Sequence, residues 1–320
     1  MDDSNPKSRK AIITRLRAKY LTTERDRILR ERIDELVERQ GTEDEVEARG
    51  LVITGESGAG KSKALKRLFS MHPEFSGYGT LGCKLVTIIV PSPCTLMQLG
   101  RVGCGRIGYP IQGEKKQHRV WEIFREHLKL ANVEYLHFDE IQNIMETANE
   151  KDALAIRNML KSFLNDPENR ICLILSGLPG IAKFLQLDRQ ESRRCAFVPF
   201  PSVEVSAARD IYNTAAAYAV DAGLEIEPHE EAALGVRLLH ASCYQLGLTL
   251  EITIGAIDRA LRVGDSKLTC KAYAAEFFAR TGNHDAANPF LATNYLDIDC
   301  SKVLQEFPKP EAPPSPPPET

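Results

Sequence analysis

The feature that most constrains this chain is an apolar run broken by a glycine-rich turn, "LVITGESGAGKSKAL", at residues 51–65. Within it Gly55, Glu56, Ser57, Gly58, Ala59, Gly60, Lys61 and Ser62 match the spacing G-x-x-x-x-G-K-[ST], with a strand-like run before and a helix-compatible run after. Glycines in such a loop let backbone N–H groups face phosphate oxygens, and the N-terminus of the following helix adds positive partial charge. Lys61 is placed to reach the β and γ phosphates of a nucleotide, and Ser62 to ligate Mg²⁺. The pattern dictates a strand–loop–helix unit in an α/β domain. It says that a triphosphate binds, but not what its hydrolysis drives.

A phosphate loop of this kind needs a carboxylate to hold the metal, and "VEYLHFDEIQNI" supplies one, a short apolar strand ending in Asp139-Glu140. Asp139 is expected to bind Mg²⁺ through water, and Glu140 to orient and polarise the water that attacks the γ phosphate. His137, in the same strand, reads as a satisfied core histidine rather than a ligand. The next strand, "RICLILSG", ends in Ser176, a polar group suited to sensing the γ phosphate. Arg193 and Arg194 in "LDRQESRRCAFVPFP" leave two readings open. One is a surface basic pair; the other is an arginine finger, with Arg193 neutralising charge on the phosphoryl group bound to a neighbouring subunit.

With 320 residues, 43% of them hydrophobic, the chain can fill an α/β core and a smaller second unit. A net charge of -3 excludes a uniformly basic nucleic-acid coat and leaves room for a local basic patch. The eight cysteines include no CxxC pair and no histidine at zinc-ligand spacing, so they read as reduced, mostly buried thiols. The N-terminus lacks the apolar core of a signal peptide, and no run approaches the ~20 apolar residues of a membrane span. The expected location is the cytoplasm, with no membrane partner.

Four segments are expected. Residues 1–45 form an N-terminal arm and helix: the first 22 are a mobile arm, a partner contact or a solvated tail, and "TTERDRILRERIDELVERQG" is a helix. In that helix Thr22 or Thr23 caps, Leu29, Ile33, Leu36 and Val37 share one face, and Gly41 ends the run. Residues 46–201 alternate strands (51–54, 84–90, 133–138, 171–176, 196–200) with helices (near 61–70, 95–102, 115–130, 150–165, 179–187). That alternation predicts a five-stranded parallel sheet covered on both faces. Residues 202–280 are helical in composition and read as a small lid, and 281–320 as a C-terminal tail. From 308 the tail is proline-rich, expected to be extended and solvated, as a linker or a partner ligand.

The order of P-loop, Asp-Glu strand end, polar strand end, Ser-Arg before the last strand and helical lid resembles the AAA+ ATPases. Within them, the stretch from "LHFDEIQNIM" through "ILSGLPGIAKF" to "ESRRCAFVPFP" is similar to the TniB family of transposition helper ATPases. That family is related to TnsC and more distantly to Mu B, and the resemblance runs over about residues 20–265. It implies an ATP- and Mg²⁺-dependent homo-oligomer, a hexamer-like ring or helical filament, on double-stranded DNA. It also implies recruitment or activation of a DDE transposase and a part in target selection. The stretch "HASCYQLGLTLEIT" offers no arginine for a second nucleotide sensor in the lid, Gln245 being its only long polar side chain before Gly247.

For DNA, contacts to phosphate by Lys, Arg and small polar groups are expected to dominate, on duplex rather than single strands. The segment between the second and third strands, "LGRVGCGRIGYPIQGEKKQHRVWEIF", holds glycines 100, 103, 105, 108 and 113 and the cluster Lys115, Lys116, His118 and Arg119. In TnsC-like proteins the DNA-facing loops fall in this part of the domain. The same cluster also reads as the solvated first turns of a helix leading to Trp121, Phe124 and Leu128. Two other functions share the core: a replication-initiator or helicase-loader ATPase, which usually adds a winged helix after the lid, and a signalling ATPase that works without DNA.

Overall fold

The apolar runs expected to be strands all pair. A computed structural model describes residues 6–40, 49–145, 150–166, 169–185, 194–226 and 231–304. In it β1 (Gly50–Gly55), β2 (Leu85–Ile89), β3 (Tyr135–Asp139), β4 (Cys172–Gly177) and β5 (Cys195–Phe200) form one parallel sheet in the order β2-β3-β4-β1-β5. Every residue of β3 and of β4 is buried, which explains their unbroken apolar runs: a parallel strand covered on both faces has no polar side. The register sets Asp139 of β3 and Ile53 of β1 on either side of Ser176 in β4. The C-terminal ends of these three strands therefore meet, at the edge where open α/β sheets bind their ligands.

The sheet belongs to a unit spanning residues 21–202. Apart from α1 (Pro6–Ala18), which belongs elsewhere, the helices up to residue 185 cover it. These are α2 (Glu24–Gln40), α3 (Lys61–Met71), α4 (Leu96–Arg106), α5 (Gln117–Leu130), α6 (Gln142–Met145), α7 (Glu150–Leu164) and α8 (Gly180–Leu185). Of the two threonines expected to cap α2, Thr23 is the one engaged, its amide and hydroxyl both donating to the Asp26 carboxylate at 2.7 and 2.6 Å. Leu29, Ile33 and Leu36 are buried on the face that packs on β5 and β1, and Arg25 lies 5.2 Å over the Phe200 ring.

Two glycines of the candidate DNA segment, Gly100 within the expected helix near 95–102 and Gly103 just past it, do other work. Gly100 and Gly103 lie on one face of α4, where an added Cβ would come within 2.7 Å of Val120 and 2.8 Å of the Phe124 ring. Small residues three apart let α4 and α5 approach closely, and the sheet core closes over them. Gly103→Ala is expected to destabilise the protein by about 1–3 kcal/mol through overpacking. A lower urea midpoint at unchanged slope is the signature, and an unshifted midpoint would show that Phe124 gives way freely.

The second unit comprises residues 1–20 and 203–320. Its described helices are α1, α9 (Ala208–Asp221), α10 (Glu231–Ala241), α11 (Leu246–Val263) and α12 (Cys270–Thr281), with a two-stranded parallel ribbon of β6 (Glu225–Ile226) and β7 (Lys267–Leu268). The N-terminal segment read as an arm is instead, from Pro6 to Ala18, a helix packed on α11. Ile13 and Leu16 are buried there, and Arg9 pairs with Asp258 at 3.3 Å and Lys19 with Asp221. Its apolar positions are too sparse in a Lys- and Arg-rich sequence to announce this.

The start of the expected tail is also structured. Asn288 is buried, donates to Ala274 O at 2.9 Å and places Phe290 in a stack on Tyr273 at 5.3 Å, so residues 283–304 pack on the helices. The proline-rich part lies outside the described residues. All eight cysteines are free thiols, and burial pushes those of Cys94 and Cys104 up to about 11. No described helix is long and apolar enough to cross a membrane.

Candidate functional site

The phosphate loop begins where β1 runs out. Gly55 must be glycine, because a Cβ there would come within 2.8 Å of Phe200, and Gly58 and Gly60 take φ of +78° and +97°, a region costly for other residues. No side chain caps the N-terminus of α3, so its first N–H groups are left for a ligand. Lys61, only 5% exposed, folds over the loop and donates to Gly55 O at 2.7 Å and Glu56 O at 3.0 Å. Burial lowers its pKa, opposed by the nearby carboxylates of Glu140, Asp139 and Glu56. The loop and the Asp-Glu pair, far apart in sequence, are thus electrostatic neighbours. Ser57 and Ser62 are exposed at the start of the turn and in the first turn of α3.

Asp139, 7% exposed, ends β3. Its Oδ1 accepts from Ser176 Oγ at 2.5 Å and from the Glu140 amide at 3.2 Å. Ser176 is fully buried, so its hydroxyl positions the carboxylate from within the sheet. Glu140 follows at φ +59°, a left-handed conformation that costs about 1–2 kcal/mol in a residue with a Cβ and turns the chain sharply at the strand end. The Glu140 carboxylate accepts from Gln142 Nε2, and Gln142 Oε1 accepts from the Leu178 amide at 3.2 Å.

Gln142, which sequence reasoning missed, is the side chain that links Glu140 to the turn after β4. A Cβ at Gly177 would collide with both the Gln142 carboxamide and the Ile181 side chain. The available signal was a glycine at the end of a strand, beside a Gln two residues after Glu140.

His137 is the core histidine expected, 2% exposed, and burial lowers its pKa against the opposing pull of the Asp139 carboxylate. Its Nε2 meets Ser176 Oγ at 2.8 Å and its Nδ1 meets Thr87 Oγ1 at 3.2 Å.

Among the described residues no three or more His, Cys, Asp or Glu side chains cluster as a metal cage. The oxygen donors present, the Asp139 carboxylate and Ser62 hydroxyl, fit Mg²⁺, a hard cation that takes one or two protein oxygens and fills its shell with water and phosphate.

Arg193 lies outside the described residues. Arg194 is held in its own subunit, donating to Asn165 Oδ1 while its carbonyl accepts from the Gly50 amide at 3.0 Å. Lys115 and Lys116 are exposed and precede α5 rather than forming its first turns. Arg101 braces their loop by donating to Ile111 O at 3.3 Å and Gly113 O at 2.7 Å. Arg119 is inside α5 and pairs with Glu122 at 3.0 Å. Gln245 is buried before α11 and donates to Cys243 O at 3.1 Å, within its own unit.

Comparison with known families places the AAA domain on residues 42–185. The core is an AAA+ P-loop ATPase domain. The AAA+ fold extends beyond that match, as three solved structures show. ORC2 of Aeropyrum pernix, in its ADPNP-ADP complexes, is similar at 15% identity over 84% of this chain and 72% of that one, with a TM-score of 0.55. ORC1 of the same organism, in complex with DNA, is similar at 15% identity over 86% and 67%, TM-score 0.57. Cdc6p of Pyrobaculum aerophilum is similar at 11% identity over 84% and 70%, TM-score 0.56. At these identities the likeness is one of AAA+ fold. Among curated proteins, none matches the chain in sequence.

Proposed function

We propose that this AAA+ ATPase regulates DNA transposition, assembling with ATP on double-stranded target DNA in the cytoplasm and recruiting or activating a DDE transposase. The observation that carries the reading is where the TniB-like stretch falls. Asp139, Glu140, Gln142, Ser176 and Gly177, all inside it, are the residues linked around the strand ends. Glu140 holds and orients the attacking water, Lys61 and the loop amides bind the phosphates, and Asp139 with Ser62 holds the metal. Mg²⁺, when bound, neutralises charge on the β and γ phosphates. Arg193 is the residue assigned to complete the site of a neighbouring subunit in a ring or filament.

The braced loop carrying Lys115 and Lys116 is the proposed DNA contact, with Arg119 contributing from the helix behind it. A double Lys115→Glu, Lys116→Glu protein is expected to lose duplex affinity equally on unrelated sequences. Its dependence of log K on log[salt] should be shallower by about two, since each phosphate-bound lysine contributes about one. Fluorescence anisotropy at several salt concentrations with a slowly hydrolysed ATP analogue measures both. Affinity equal to the parent's at every salt would remove the loop from the interface.

A second reading, a replication-initiator or helicase-loader ATPase, is favoured by the fold likeness to ORC1 in complex with DNA and to Cdc6p. The deciding experiment supplies target DNA, ATP and a DDE transposase, and scores integration with and without this protein. Integration that depends on the protein and on ATP supports the transposition reading. Integration indifferent to it, with ATP-dependent duplex binding intact, favours the initiator.

A further inference from the structure

Five polar side chains run in single file beneath the strand ends, from half-buried Tyr78 and Thr87 to buried His137, Ser176 and Asp139. Tyr78 OH lies 3.1 Å from Thr87 Oγ1, Thr87 Oγ1 lies 3.2 Å from His137 Nδ1, His137 Nε2 lies 2.8 Å from Ser176 Oγ, and Ser176 donates to Asp139. Thr87 and His137 are direct cross-strand partners on β2 and β3, as Asp139 and Ser176 are on β3 and β4. The Phe69 ring walls the file, edge-on to His137 at 5.3 Å and 5.4 Å from Tyr78.

When the His137 ring carries a single proton, the direction of every link follows from the last one. A carboxylate only accepts, so the one proton of Ser176 goes to Asp139. Ser176 Oγ must then accept from His137, which makes Nε2 the protonated nitrogen of a neutral ring. Nδ1 is left as an acceptor and takes the Thr87 proton, and Thr87 accepts in turn from Tyr78. Each bond polarises the next, and a chain of donors all aimed one way strengthens along its length in a low dielectric.

We propose that Tyr78, Thr87 and His137 are positioning residues, which act through Ser176 to fix the metal-ligating carboxylate of Asp139. With Oδ1 engaged by Ser176 and the Glu140 amide, Oδ2 would be the oxygen left for a hydrated cation. Residues that orient a metal ligand from behind typically tune metal affinity by 10–100-fold, although they never touch the ion. The inference rests on the reading of Asp139 as the Mg²⁺ carboxylate, and the test separates the two.

The probe is Mn²⁺, titrated by electron paramagnetic resonance into full-length protein with a slowly hydrolysed ATP analogue, beside binding of a fluorescent ATP analogue in EDTA. Ser176→Ala is expected to weaken Mn²⁺ binding about tenfold. Thr87→Val, which keeps the side-chain shape and removes the hydroxyl at a half-buried edge position, should weaken it several-fold, and Thr87→Ser should restore parental affinity. Metal-free nucleotide binding should be unchanged in the two Thr87 variants. Nitrogen-15 NMR of the parent should show His137 as the neutral Nε2–H tautomer. Parental Mn²⁺ affinity in Thr87→Val and Ser176→Ala, with Asp139→Asn defective, would overturn the positioning chain alone, as would an Nδ1–H tautomer. Parental affinity in Asp139→Asn would overturn the metal-ligand reading and the chain with it.

Discussion

Lys61→Ala is expected to abolish ATP binding at concentrations that just saturate the parent. Lys61 is a buried cation held against the carbonyls of Gly55 and Glu56 and in electrostatic contact with Asp139 and Glu140. Truncation removes the positive charge facing the β and γ phosphates and leaves two carboxylates at the site without their cation. Loss of one partner from a buried, hydrogen-bonded charge pair costs about 2–5 kcal/mol, and each 1.4 kcal/mol is tenfold in affinity. Isothermal titration with ATP should therefore show a weakening of about 30-fold to several thousandfold. Lys61→Arg is not expected to rescue it, because a planar guanidinium does not fit where an ammonium bonds two adjacent carbonyls. Near-parental affinity in Lys61→Ala would remove the residue from the phosphate site.

Glu140→Gln separates binding from turnover. The amide is the same size as the carboxylate, so the left-handed backbone at 140 is unaffected and ATP affinity should stay within a few-fold of the parent. What goes is the capacity to polarise an attacking water, and losing a positioned base typically costs 10²–10⁴-fold in rate. Single-turnover hydrolysis with pre-bound ATP isolates that step. Hydrolysis at the parental rate would assign the attacking water to another group. Because Gln142 donates to the Glu140 carboxylate and receives the Leu178 amide, the turn after β4 is mechanically tied to this residue. A change at that turn therefore has a direct route to the group expected to carry hydrolysis.

The phosphate loop and the five strands were legible because each is a local pattern. The glycine spacing of residues 55–60 and the unbroken runs of β3 and β4 follow from backbone geometry and two-sided burial, which neighbouring residues encode. Segments whose partners lie far off in sequence were not legible. Pro6–Ala18 looks like a solvated arm until α11 lies beneath it. The apolar stretch after residue 230 looks continuous until Cys243 and Tyr244, at φ +49° and +61°, break it between α10 and α11. Gly103, just past the helix expected near 95–102, looks like loop until Phe124 faces it.

The sequence by itself determined the chemistry of the ends: a loop that cradles phosphate, a lysine beside it, and a carboxylate pair at the close of an apolar strand. Within each of these motifs the residues adjoin one another along the chain, and residue type with spacing was enough. Only the tertiary structure decided how Asp139 is held. Tyr78, Thr87, His137 and Ser176 come from separate segments, and what joins them is the parallel register that sets β2 beside β3 and β3 beside β4. A hydrogen bond needs its two atoms about 3 Å apart, and only the folded sheet brings these residues that close.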